Sequence, residues 1–165
     1  MDTLIKGIDG LTRSIGNKLG WLVLVVMALQ CLTLVLNIAT VNATALQEAT
    51  LYCHSAVFLL AMGFNLYKDE HVRVDVFYRR RPIRTKAWVN ALGSLVLTLP
   101  IAVFILLISL DFVETSWAIR EVSVQPGGLP TVFLFKTLIP IMAVLLALQA
   151  IAECLRNMKI LGYEQ

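Results

Sequence analysis

Long runs without a charged residue constrain this chain more than any other feature of its sequence. A helix needs about 20 consecutive, predominantly apolar residues to cross the hydrocarbon core of a bilayer. Three runs approach or exceed that length without an Asp, Glu, Lys or Arg, at 19–40, 49–67 and 87–110. A fourth run, 137–152, reaches spanning length when it is extended back past Lys136. The sequence therefore predicts four transmembrane helices.

The composition is typical of a membrane protein and not of a soluble domain. Of the 165 residues, 58% are hydrophobic and 15% are charged, and a soluble domain of this size needs more charge to cover its surface. The net charge of +3 does not indicate nucleic-acid binding, because the basic residues flank apolar runs instead of forming a soluble basic module. The three cysteines are scattered without a C-x-x-C pair, which predicts neither a disulfide framework nor a zinc site.

The distribution of basic residues predicts how the helices are oriented. Short cytoplasmic loops of membrane proteins carry an excess of Lys and Arg. Here 12 of the 14 basic residues lie in the N-terminal tail, in the connector between the second and third spans, and in the C-terminal tail. This asymmetry predicts that both ends of the chain are cytoplasmic, and that the loop between the third and fourth spans is periplasmic.

The residues before the first span have the pattern of an amphipathic helix. Apolar residues such as Ile5, Ile8 and Ile15 share one face, while Lys6 and Asp9 lie on the other. Such a helix suits the cytoplasmic headgroup layer, and packing against another protein remains open. We therefore predict an all-α membrane protein of four transmembrane helices preceded by an N-terminal amphipathic interfacial helix, N-in/C-in. The predicted segments are the amphipathic helix at 1–17, transmembrane helices at 19–40, 47–68, 87–111 and 131–154, a basic cytoplasmic connector at 69–86, a periplasmic interfacial loop at 112–130, and a cytoplasmic tail at 155–165.

The basic connector has two structural interpretations. Asp69 and Arg73, and likewise Asp75 and Arg79, are four residues apart, which favours a helix with paired charges. The alternation of apolar residues that starts at Val72 leaves an extended stretch open. The following arginines predict contact with anionic phospholipid, either as a plain topology anchor or together with a protein partner. The predicted lipid-interface anchors are Trp21, Trp88, Trp117, Arg79, Arg80 and Arg81.

Charged residues inside spans are the candidates for function, because a charge in hydrocarbon is costly. Lys136 lies within the fourth span and Glu48 opens the second, at similar depth on the outer side. The two could form a pair within the chain or between subunits, or Lys136 could extend its ammonium to the outer headgroups. The sequence has no nucleophile–base arrangement, no Walker motif and too few grouped ligands for haem or a metal. We predict no enzymatic activity and no cofactor bound by this chain.

The order of these features resembles the small membrane subunit of tripartite ATP-independent periplasmic (TRAP) transporters, the DctQ-like family. The resemblance rests on residues 47–80, which contain H-V-R-V-D at 71–75, and on residues 126–140, which contain G-G-L-P at 127–130. It implies a location in the bacterial inner membrane, a large membrane (M) subunit that carries substrate and sodium by an elevator-like motion, and a periplasmic substrate-binding (P) protein. It also implies a sodium gradient and an organic acid as cargo. The positions expected at subunit contacts or in stability are Glu48, Lys136, His71, Arg73 and Asp75.

Two other functions remain open at this point. A self-sufficient homodimeric small exporter would normally carry a membrane-embedded carboxylate, and the first span has none. A membrane assembly or redox-complex subunit would be recognised by a bound chromophore. Both are distinguished from a scaffold subunit by whether the purified chain transports a solute or absorbs visible light on its own.

Overall fold

The computed structural model describes residues 2–39, 41–68 and 81–162. These residues form helices and connecting turns, with no strand among them. The helices are α1 (Asp2–Ile38), α2 (Thr44–Lys68), α3 (Ile83–Gly93), a π-helical turn (Ser94–Thr98), α4 (Leu99–Ala118) and α5 (Val132–Gly162). Four helical rods are long and apolar enough to cross a membrane, since α3, the π turn and α4 are continuous. The prediction of an all-α protein is confirmed, with four helices able to span a membrane by length and composition.

Helix α1 is one rod of 37 residues, with no break between the segments predicted at 1–17 and 19–40. At 1.5 Å per residue it is about 55 Å long, well beyond the roughly 30 Å of a hydrocarbon core. Ile5, Thr12 and Leu19 are buried at seven-residue spacing, and α1 packs on α2 and α5. The N-terminal segment therefore has its buried face against the chain's own helices, and its position at the bilayer surface stays a prediction.

Helix α5 is the centre of the bundle, because it contacts every other helix. Small residues permit this close packing: Ala143, Ala150 and Ala152 are almost fully buried. On α2, Gly63 faces the backbone of Leu145, and a methyl group at Gly63 would lie 3.4 Å from that carbonyl oxygen. The bundle therefore depends on close backbone approach at α5.

The third rod contains a π turn next to a proline. Pro100 has no N–H, so it cannot make the usual bond to the preceding helical turn. In the turn before it, the N–H of Leu99 donates to the carbonyl of Ser94, five residues back. This wider turn carries the rod past the proline without ending it, which is how lipid-embedded helices commonly accommodate proline.

Helix α4 continues to Ala118, seven residues beyond the end predicted at 111. The helix stops where Arg120 adopts a left-handed backbone conformation with φ of 46°. There the N–H of Glu121 donates to the carbonyl of Ser116 at 3.0 Å, which is a common way to satisfy the last carbonyls of a helix. The connection to α5 is consequently shorter than the sequence suggested, and it turns at Gly127, whose φ is 77°.

Candidate functional site

Glu48 ties the connection between α4 and α5 to the first turns of α2. Its carboxylate accepts a hydrogen bond from the backbone N–H of Leu129 at 2.6 Å and another from the hydroxyl of Ser123. Gly128 makes this approach possible, because a methyl group there would lie 2.7 Å from the Glu48 Oε1 atom. The G-G-L-P turn is therefore held by a carboxylate 81 residues away in the sequence.

Lys136 pairs with Glu121, a residue that the sequence analysis did not connect with it. The Nζ of Lys136 lies 2.5 Å from Glu121 Oε2, and it also lies 4.0 Å from the centre of the Phe112 ring. The structure therefore shows neither the Glu48 pair nor an unpaired lysine extended to the headgroups. The turn at 127–130 brings the chain back to the end of α4, which allows Lys136 to reach Glu121. The spacing of the two residues in the sequence does not by itself predict this pair.

The Glu121 carboxylate is stabilised in its ionised form. The hydrogen bond from Lys136 lowers the pKa of Glu121 below its usual value, and the bond from the Ser116 hydroxyl, 2.7 Å from the same oxygen, acts in the same direction. Charge-assisted bonds of this kind are stronger than neutral ones. We call Glu48, Glu121, Ser123 and Lys136 the outer cluster, after the predicted orientation; it is built to fix the α4–α5 connection.

Aromatic side chains surround the outer cluster. The indole N–H of Trp117 donates to the hydroxyl of Thr137 at 2.9 Å, and its ring meets Phe133 edge to face at 4.8 Å. Tyr52 stacks on Phe135 at 4.6 Å, joining α2 to α5. These contacts make the start of α5 a junction between three helices.

A second polar cluster joins α1 to α5 at the opposite end of the bundle. The Nη2 of Arg156 lies 2.9 and 2.8 Å from the two carboxylate oxygens of Asp9, and its Nη1 donates to Glu153. Gln149 is fully buried; it accepts a bond from Thr12 at 2.9 Å and donates to Asp9 at 3.2 Å. We call these five residues the inner cluster.

The inner cluster continues in both directions along the two helices. The amide of Asn157 donates to the backbone and side chain of Glu153, at 2.8 Å each, and Lys159 pairs with Asp2 near the helix ends. Buried polar groups with all their partners in place make helix pairing specific. The pair of Asp9 with Arg156 was not predicted, because the two residues are 147 positions apart. The signal in the sequence that could have indicated this contact was the carboxylate of Asp9 itself, which lies between the buried residues Ile5 and Thr12 of α1.

The remaining predicted site residues divide into exposed positions and positions outside the described part. Trp21, Trp88, Trp117 and Arg81 are exposed, and their role as lipid anchors stays a prediction. The residues that lie outside the described ranges are His71, Arg73, Asp75, Arg79 and Arg80.

The geometry of both clusters supports a structural role. Except for Glu153, whose described partners lie on its own helix, the ionised groups of both clusters are engaged by partners from other helices or from the α4–α5 connection. Within residues 2–39, 41–68 and 81–162, no three His, Cys, Asp or Glu side chains gather in a way that could hold a metal ion. The polar residues of the two clusters hold the helices of the bundle together.

Four apolar rods held by polar contacts near both ends define a multi-pass membrane protein. The family model described as "Tripartite ATP-independent periplasmic transporters, DctQ component" matches residues 23–159. The chain therefore belongs to this family, the small membrane component of TRAP transporters, which is a transporter component and not an enzyme family. Membership implies a complex with a large membrane subunit and a periplasmic binding protein. No curated protein and no solved structure matches the chain at a significant level.

Proposed function

We propose that this chain is the scaffold subunit of a sodium-coupled TRAP transporter in a bacterial inner membrane. It supports a larger elevator-type subunit, which imports an organic acid delivered by the periplasmic binding protein. Family membership supports the complex. The observation that carries the scaffold role is the bonding near both ends of α5, to α1 in the inner cluster and, in the outer cluster, to the α4–α5 connection, which Glu48 of α2 also holds. A bundle joined in this way suits a static support better than a moving carrier. We also propose that the chain binds no cofactor itself, and that the sodium gradient acts on the large subunit.

The proposed orientation places the inner cluster at the cytoplasmic side and the outer cluster at the periplasmic side. The charge asymmetry of the sequence supports it. A cysteine at Gln125, in the α4–α5 connection, is expected to react with a membrane-impermeant maleimide added to intact spheroplasts, in a background with Cys31, Cys53 and Cys154 replaced. A cysteine at Arg84, at the start of α3, should react only after lysis. The reverse pattern would contradict the orientation.

The candidate contact residues have different proposed roles. Glu48 and Lys136 stabilise the bundle, which their contacts with Leu129, Ser123 and Glu121 support. For the connector residues His71, Arg73 and Asp75, a contact with the large subunit is proposed on the basis of the family resemblance.

Anionic phospholipid is a further proposed partner. An apolar cavity of about 380 Å³ lies between α3 and the end of α5, and its lining residues include Trp88, Leu95, Met158 and Arg84. An acyl chain suits such walls, and an arginine suits a phosphate headgroup at the cytoplasmic surface. Arg79, Arg80 and Arg81 are proposed from the sequence as further contacts to anionic headgroups.

Co-purification tests the proposed function. We expect an affinity-tagged copy of this chain, expressed with a large TRAP subunit from the same organism and extracted in mild detergent, to retain that subunit through size-exclusion chromatography in a constant ratio. The control is an unrelated four-helix membrane protein with the same tag. A chain that elutes alone or with itself only, while the large subunit is present and folded in the same membranes, would contradict the proposal.

A further inference from the structure

A groove whose surface is mostly apolar, but whose lining includes six polar residues, runs between α1 and α2 in the region predicted to lie in the membrane. It encloses about 520 Å³, and its walls include Val26 and Leu51 as apolar members. On each helix the lining residues recur at three- or four-residue spacing, so they form one stripe per helix. The polar lining residues are Gln30, Thr33, Asn37, Gln47, Thr50 and His54.

The depth of the groove makes its polarity costly in lipid. Gln30 lies nine residues after Trp21, about 14 Å along the helix from the predicted inner boundary and close to the middle of the bilayer. The side chains of Gln30 and His54 are exposed at the surface of the bundle. Amide and imidazole groups in contact with hydrocarbon lose their hydrogen bonds to water without replacement. This surface is therefore poorly suited to face lipid tails.

Thr33 gives an independent indication that a partner is missing. Its side chain is only 3% exposed, and among the described residues its hydroxyl has no hydrogen-bond partner. A threonine inside a helix usually bonds its own helix, as Thr50 does with the carbonyl of Leu46 at 2.8 Å. Buried hydroxyls in folded proteins are nearly always satisfied; the Thr33 hydroxyl is itself covered, and it reaches the groove that its residue lines only when the side chain rotates.

The opposite surface of the bundle has no such feature. Between 95 and 110, the exposed side chains of the third rod are all apolar; Leu97, Phe104, Leu107 and Ile108 are examples, each about 60% exposed. That surface suits lipid tails directly. This apolar surface contrasts with the α1–α2 groove, which carries amide, hydroxyl and imidazole groups.

We propose that the α1–α2 groove is the docking surface for a transmembrane helix of the large TRAP subunit, one that presents amide or hydroxyl side chains. The inference rests on the proposed function, which supplies the partner. The groove contains amides, hydroxyls and an imidazole but no Asp, Glu, Lys or Arg, so it matches neutral hydrogen-bonding groups better than ionised ones. Its apolar members, Val26 and Leu51, match the aliphatic part of a helix. Amide, hydroxyl and imidazole side chains form hydrogen bonds between helices in membranes.

Site-specific photo-crosslinking tests the location of the interface. A benzoylphenylalanine placed at Gln30 or His54, in cells that co-express the large subunit, is expected to give a covalent product with that subunit. The matched control positions, Phe104 and Ile108 on the lipid-facing rod, should give none. Crosslinks from the control positions alone, or from the groove to a second copy of this chain, would overturn the inference while leaving the co-purified complex intact. Absence of the complex itself would count against both the inference and the proposed function.

A substitution at Thr33 tests the missing hydrogen bond. Thr33→Val keeps the shape of the side chain and removes no described bond within the chain, so the melting temperature of the isolated subunit should not fall. The affinity for the large subunit should fall about threefold, and about tenfold when Gln30→Leu is added. These changes correspond to the free energies measured for hydrogen bonds between membrane helices. Ser109→Ala is the control, because that hydroxyl already bonds Leu106 of its own helix. Unchanged affinity in the double variant would contradict the proposal.

Discussion

Replacing Arg156 with alanine is expected to lower the free energy of unfolding of the detergent-solubilised chain by about 2–3 kcal/mol. The substitution leaves the carboxylates of Asp9 and Glu153 close together without a cation between them. Breaking a fully buried pair costs more, about 3–5 kcal/mol. The smaller value is expected here because a third of the Arg156 side chain is exposed, so solvent screens part of the interaction.

Thermal unfolding in detergent, followed by circular dichroism, measures this effect. The melting temperature of Arg156→Lys should lie between those of the wild-type chain and Arg156→Ala, because a lysine cannot bond both Asp9 oxygens and Glu153 in one geometry. Arg13→Ala is the matched control, since Arg13 is an exposed basic residue on α1 and its loss should change the melting temperature little. Equal melting temperatures for Arg156→Ala and Arg13→Ala would contradict the role assigned to the inner cluster.

Replacing Glu48 with alanine is expected to lower the free energy of unfolding by about 2 kcal/mol, because two acceptor positions for charge-assisted hydrogen bonds are lost at once. The N–H of Leu129 and the hydroxyl of Ser123 would lose the carboxylate that holds them. Glu48→Gln retains one acceptor oxygen and should have an intermediate effect. The loss should concentrate in the α4–α5 connection, so hydrogen exchange at residues 119–131 should accelerate more than exchange in α5.

The exposed carboxylate of Glu114 on α4 provides the control for that measurement. Glu114→Ala should leave both the melting temperature and the exchange of residues 119–131 close to those of the unchanged chain. If Glu48→Ala and Glu114→Ala behave alike, the carboxylate of Glu48 does not hold the connection.

The helices were predictable from the sequence because the physical signal is local. Charge-free runs such as 19–40 and 87–110 identify spans through their length and composition alone, and the structure confirms four of them. The end of α4 was harder to place, because residues 112–118 contain no Gly or Pro that would stop a helix. The helix therefore continues until Arg120 turns the backbone.

The pairing of charges was not predictable, because it depends on which helix ends meet. Lys136 was recognised as a charge that needs a partner, and Glu48 at similar depth was an available one. In the fold, Lys136 instead pairs with Glu121, and Glu48 accepts a hydrogen bond from the backbone N–H of Leu129. Asp9 was assigned to the polar face of an interfacial helix, but α1 continues unbroken and brings it to Arg156. Contacts between residues more than a hundred positions apart have no signature in spacing.

Sodium-driven uptake in proteoliposomes tests the central claim most directly. Vesicles should contain this chain alone, the large subunit alone, or both, with the periplasmic binding protein and its labelled organic acid added outside. The scaffold role predicts uptake only when both membrane subunits are present, with this chain alone indistinguishable from empty vesicles. Uptake by vesicles that contain only this chain would contradict the scaffold role, because the four helices would then transport the solute themselves.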